Sequence, residues 1–154
     1  MAKISPRKLF NFTIYFPELP YEPFLVQKVN LPDSEVEIAE HSEGNHDIKT
    51  GGRVKVGNIT LENIMRSTAG TESMMFWDWK NLVADPFLNG GAEPALYYKT
   101  MVVKEYGTNG VTVINEWVCT EVFPIKINGL PLDRKSSENT VENVELACNY
   151  ISKF

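Results

Sequence analysis

Phe10, Phe12, Ile14 and Phe16 alternate with Asn11, Thr13 and Tyr15. Side chains two apart stand on one face of an extended chain, so this stretch reads as a half-buried strand. The same period returns along most of the chain. "FLVQKVNL" and "SEVEIAE" flank Pro32 and Asp33, and in the second piece Val36 and Ile38 oppose Glu35 and Glu37. "RVKVGNITLENI" places Val54 and Val56 against Arg53 and Lys55, then slips phase at Gly57 so that Ile59 and Leu61 become the apolar positions. A glycine at a phase slip predicts a bulge. "ALYYKTMVVKEYG", "TNG" and "VTVINEWVCTEVF" form a hairpin pattern with turn chemistry at Gly107 to Gly110. "PIKINGLPLD" is a short extended piece with turns at Asn128-Gly129 and Pro131, and "TVENVELACNYI" alternates through Val144, Leu146, Cys148 and Tyr150 as a last strand. A chain written mostly in period two folds as antiparallel sheet with one covered face.

One segment has the helical period. Met75, Phe76, Trp79, Leu82 and Val83 form an apolar stripe, leaving Asp78, Lys80 and Asn81 for solvent. Thr71 caps this helix, Glu72 suits its first turn, and Asp85-Pro86 ends it. Trp77 and Met74 fall nearer the opposite side. The expected fold is mainly β: an antiparallel sandwich or barrel of seven or eight strands with one flanking helix, as one domain over residues 1–154.

The strands before and after residue 45 predict a hairpin. With Glu37 opposite Lys55, Val36 meets Val56 and Ile38 meets Val54, so charges face charges and branched side chains face each other. A slip by one residue would put Glu37 among valines. This register leaves residues 40–52 as a long polar tip, far beyond the roughly 2–5 residues a hairpin connection needs.

That tip, "EHSEGNHDIKTGG", raises the chemical question. His41, Glu43, His46 and Asp47 are metal-ligand types, but a hairpin tip lacks the fixed helical spacing that makes such a set a site. Gly51-Gly52 is no phosphate loop: GxxxxGK[ST] is missing and no helix starts there. GxSxG and HExxH do not occur, and no cysteine neighbours a histidine in sequence. Net charge is -5, from fifteen basic and twenty acidic side chains, which argues against a protein that grips phosphates. Cys119 and Cys148 read as reduced core thiols. "MAKISPRKLFNF" precedes no apolar run and so reads as no signal peptide, and no stretch approaches the ~18 apolar residues of a membrane span.

The order of these pieces resembles the tail tube proteins of tailed bacteriophages, a family shared with the inner tubes of contractile injection systems. The likeness runs from Phe10 to Tyr150. It is carried by Glu43-Gly44 after a strand of alternating acids, Gly57 to Leu61 in the returning strand, Trp117 followed by "FPIKINGLPLD", and the closing "VENVELACN". The sequence departs from the family at Val29-Asn30-Leu31-Pro32, where a Val-x-Gly-Leu turn is expected. It departs again at Glu62-Asn63-Ile64, where a glycine is expected to end the turn after Leu61.

The resemblance implies a tail-tube or Hcp-like subunit that forms six-membered rings stacked into a tube. The tip would then be an inter-ring contact through His41, Glu43, Gly44, Asn45, His46, Asp47 and Lys49. Glu35, Glu37, Arg53 and Lys55 become candidates for the lumen wall. The implied partners are further copies of the chain, the tape-measure protein, sheath, baseplate and tail terminator, in a contractile tail assembled in the host cytoplasm. DNA would pass without sequence-specific binding. No catalysis, cofactor, metal or membrane insertion is expected. The alternatives are a protein-translocating tube, as in a bacteriocin or type VI system, and a small β-barrel binding protein or metalloenzyme.

Overall fold

The structure is a computed structural model that describes residues 12–19, 26–65, 71–85, 87, 90–129, 134–135 and 141–154. The described strands before the helix are β1 (Phe12–Tyr15), β2 (Val26–Asn30), β3 (Ser34–Glu43), β4 (His46–Val56) and β5 (Ile59–Met65). Helices α1 (Thr71–Val83) and α2 (Pro94–Tyr97) follow. The chain then forms β6 (Lys99–Tyr106), β7 (Val113–Ile127), β8 (Val141–Ala147) and β9 (Tyr150–Lys153). All strand pairings are antiparallel. The alternation thus predicts the fold class correctly: mostly antiparallel sheet with a flanking helix.

Six strands run in the order β1-β6-β7-β8-β5-β2, with β9 added on β7, and β3-β4 make a separate two-stranded ribbon. The long β7 organises the large sheet. Its first half pairs β9 from Trp117 to Thr120, and its second half pairs β8 from Phe123 onward. Between the halves sits Glu121 with φ 55, a left-handed residue that turns the corner. The last strand predicted from sequence is therefore two, broken at Cys148-Asn149 opposite this kink. Thr120 faces Tyr150 and Phe123 faces Ala147, so pairing resumes without a slip. Val144, Leu146 and Cys148 are buried as the alternation expects, whereas Tyr150, past the break, is exposed.

The core lies between this sheet and α1. Ile14, Phe16, Ile59, Leu61, Met101, Val122 and Leu146 meet Met75, Phe76 and Trp79 from the helix. Phe16 stands edge-on to Phe76 and Trp79, with centroids 6.2 and 5.5 Å away. Each such pair contributes about 0.5–1.5 kcal/mol beyond burial. The Trp79 indole N–H donates to the Tyr97 carbonyl at 2.6 Å, tying α1 to α2. Leu82 departs from its predicted core role and is 41% exposed; it lies at the edge of the stripe in the last turn, and Val83 is half-buried. Trp77 is exposed, with Lys80 5.6 Å over its ring. Phe10, Pro86, Pro131 and the side chains of Thr71, Glu72 and Met74 lie outside the described residues.

Ala95, Leu96 and Tyr97, predicted as strand, are a helical turn instead. Pro94 supplies a preset φ at the first helical position, and the Tyr98 N–H closes the turn on the Pro94 carbonyl at 3.0 Å. The predicted turn at Gly107 to Gly110 extends to Thr112. The Asn109 side-chain oxygen accepts the Val111 and Thr112 N–H groups, each at 3.0 Å, and Gly110 takes φ 73.

Candidate assembly surface

The ribbon leaves and rejoins the domain at one point. Asp33 precedes β3 and Gly57 follows β4, and the Gly57 N–H donates to the Asp33 carbonyl at 2.8 Å. Gly57 is thus no bulge within a strand: it separates β4, in the ribbon, from β5, in the large sheet. The bulge lies earlier. Val36 faces Val54 and Ile38 faces Gly51, so Arg53 and Gly52 together oppose Glu37. Backbones come close there, for a Cβ on Gly52 would stand 2.8 Å from the Glu37 carbonyl oxygen.

The observed register pairs Ser34 with Val56 and Glu35 with Lys55, two residues away from the predicted one. A shift by two keeps every side chain on its face, so alternation cannot distinguish the two registers. The expected partners still meet diagonally: Lys55 Nζ lies 2.5 Å from Glu37 Oε1. Lys55 is exposed and Glu37 half-buried at the surface, so the pair contributes no more than about 1 kcal/mol.

The predicted long loop is not a loop. Pairing continues through Ala39–Thr50, Glu40–Lys49, His41–Ile48, Ser42–Asp47 and Glu43–His46, leaving Gly44-Asn45 as the whole turn. Gly44 has φ 64 and Asn45 stays at negative φ, as a two-residue turn led by glycine requires. The ten- and eleven-residue strands make a projecting arm. Lys49 Nζ is 4.0 Å from Glu40 Oε1, and Ser42 donates to Asp47 Oδ1 at 3.0 Å. His41, Glu43 and His46 share one face of the tip, and Asp47 stands on the other with Ser42. The four candidate metal-ligand types are therefore divided between two exposed faces.

The two faces at the base of the arm differ. Glu35, Glu37 and Lys55 lie on one, with Arg53 in the bulge beside Glu37. On the other, Val36, Ile38 and Val54 are 54, 62 and 63% exposed. The sequence shows these three as period-two apolar positions, the usual mark of a covered face. Here they form an apolar stripe that no described residue covers, running outward from Val56, which packs on the core. This surface was missed because periodicity reports which residues share a face and not what covers it.

A groove of about 850 Å³ lies beside the root of the arm. Phe12, Val29, Leu31, Val103 and Trp117 line it, with Asp33, Lys28 and Glu105 among its polar residues.

An antiparallel domain with a corner-turning strand, one packed helix and a projecting hairpin arm defines a structural class, and solved chains share it. One, from the sheath/tube terminator of an extracellular contractile injection system (PVC) in the extended state, superposes with TM-score 0.77 at 19% identity over 99% of each chain. Another, from the PVC sheath-tube complex, gives TM-score 0.74 at 19% identity, covering 97% of this chain and 91% of the other. Hcp1 from Flavobacterium johnsoniae gives 0.53 at 16% identity, covering 92% and 93%. Among curated proteins, none matches. The chain belongs to the tail tube family: the model of the T4-like virus tail tube protein gp19 matches residues 8–152.

Proposed function

We propose that copies of this chain close into rings, six to a ring, and that the rings stack into a hollow tube. The observation that carries this reading is the arm, a ribbon of two strands with a bare apolar face. Such a ribbon is marginal by itself in water. Among the described residues its strands pair only with each other, and β1 and β2 end the large sheet. Unpaired edges and apolar stripes are aggregation hazards unless a partner consumes them. A neighbouring copy does both at once: it covers Val36, Ile38 and Val54 and continues the backbone pairing around a ring.

With the apolar face turned to the neighbour and core, the charged face of Glu35, Glu37, Arg53 and Lys55 is directed to the bore. Two acids and two bases nearly cancel there. Such a wall neither grips phosphates nor strongly repels them, which suits passage without binding. The tip, with His41, Glu43, Gly44, Asn45, His46, Asp47 and Lys49, reaches the adjacent ring. The role is structural and non-catalytic, without cofactor or metal. The partners are the tape-measure protein inside the tube, a sheath around it, and the baseplate and terminator at its ends, in a tail assembled in the host cytoplasm. The bore carries phage DNA into the host. A second reading, a tube that delivers protein, is favoured by the solved chains of the same fold from an injection system.

Electron microscopy of the purified protein over a concentration series tests the assembly, with rings or tubes expected. A chain that stays monomeric at high concentration overturns it. Nucleic acid or protein in particles that contain the chain distinguishes the two cargoes.

A further inference from the structure

Val36, Ile38 and Val54 need a cover in the proposed ring, and symmetry limits what it can be. Two stripes laid on each other make an isologous contact, which closes at two copies. A ring of six is heterologous: the stripe of one copy meets a different patch on the next.

The groove beside the root of the arm has the shape and chemistry of that patch. Phe12 stands two residues from the buried Ile14, whose pairing runs through Val103 to Trp117. Val29 pairs with the buried Leu61, which in turn pairs with Val144. Phe12, Val103, Trp117 and Val29 thus belong to the inner faces of the two halves of the sheet, and all four line the groove. The groove is the open end of the core, bordered by β1 and β2, the two end strands of the sheet. An occupant meets hydrocarbon on the floor and a strand edge at the side, the conditions under which an added strand seats alternate side chains in a pocket. The arm fits both. Among the described residues its strands pair only with each other, and its exposed apolar side chains recur at alternate positions.

The charges match as well. Asp33 lines the groove, and its carboxylate makes no hydrogen bond or ion pair among the described residues. At the base of the arm Lys55 is held by Glu37, whereas Arg53, in the bulge, makes no ion pair among the described residues. We propose that the arm of one copy docks into this groove on the next. Val36, Ile38 and Val54 lie against Phe12, Val29 and Trp117 of that copy, and Arg53 pairs with its Asp33 at the border of the bore. This docking rests on the ring proposed above and names the surface that receives the arm. Each copy gives an arm on one side and takes one on the other, head to tail.

The test mixes two variants, I38C and V29C, each in its own chain. Cys119 and Cys148 are buried, so a short bismaleimide reaches only the introduced thiols. The expected product is a covalent dimer in the mixture and in neither variant alone, with peptide mapping placing the link between positions 38 and 29. Where V29C fails to fold, L31C, on the same groove, replaces it. R53E should raise the concentration needed for assembly by roughly tenfold or more, because it sets an acid against Asp33, and D33R in the same chain should restore it. Rings seen by electron microscopy without the 38–29 link overturn the docking and leave the ring standing. A link formed in I38C alone lays stripe on stripe and overturns it too. A chain that is monomeric at every concentration overturns ring and docking together. An R53E variant that assembles like the parent, or that D33R leaves uncorrected, overturns the ion pair.

Discussion

Replacing Val36, Ile38 and Val54 together by threonine should leave the subunit folded and prevent its assembly. Fully burying a valine or isoleucine side chain contributes about 1.5–3 kcal/mol. These three are 54, 62 and 63% exposed in the single chain, so roughly three-fifths of that gain remains for association. This amounts to about 1–2 kcal/mol per residue, or about 3–5 kcal/mol per contact between copies. Threonine keeps the branched shape and strand preference of the arm but exchanges hydrocarbon for a hydroxyl whose desolvation is unfavourable. In the monomer the cost is small, within about 0.5 kcal/mol per surface site. In the ring most of the 3–5 kcal/mol is lost, and about 1.4 kcal/mol is tenfold in association. The concentration needed for assembly should rise by about two to three powers of ten. Sedimentation velocity across a dilution series reads that concentration, and far-UV circular dichroism checks the fold. A triple variant that assembles at the parent's concentration with unchanged dichroism would show that no copy covers the face.

Shortening the arm by residues 40–43 and 46–49, with Gly44-Asn45 now joining Ala39 to Thr50, removes an even number from each strand and so keeps the pairing pattern; rings should form and fail to stack, whereas tubes of normal length would remove the tip from the stacking contact. Gly52→Ala places a Cβ 2.8 Å from the Glu37 carbonyl oxygen, while at Gly51 the nearest atom is Val36 Cγ1 at 3.8 Å. The first should cost about 1–3 kcal/mol of local stability and speed amide exchange along the arm, and the second should not; equal exchange in both variants would contradict the close approach. Trp79→Phe keeps an aromatic ring in the core but leaves the Tyr97 carbonyl without its 2.6 Å donor. It should lower unfolding stability by about 1–3 kcal/mol, read as a shifted urea midpoint at constant slope, and an unmoved midpoint would mean the bond contributes nothing.

Several of these features are visible in the chain itself. Ile14 and Phe16, Ile59 and Leu61, and Val144 and Leu146 are buried where alternation puts them, and Met75, Phe76 and Trp79 are buried where helical spacing does. These patterns are local: a side chain's direction follows from its place in a strand or helix, whatever lies across from it. The order of the pieces also carries the family resemblance. What the chain did not disclose is relational. A hairpin register and one displaced by two residues have the same faces, and only packing at the base of the arm selects Glu35 opposite Lys55. The polar residues from Glu40 to Thr50 alternate too weakly to announce that they pair all the way to a two-residue turn. Glu121 turns the sheet because β8 and β9 run along one strand, a fact of topology. The bare stripe on Val36, Ile38 and Val54 has the same spacing as a core face. Spacing determines which atoms turn together, and the tertiary structure alone decides whether protein or water lies over them.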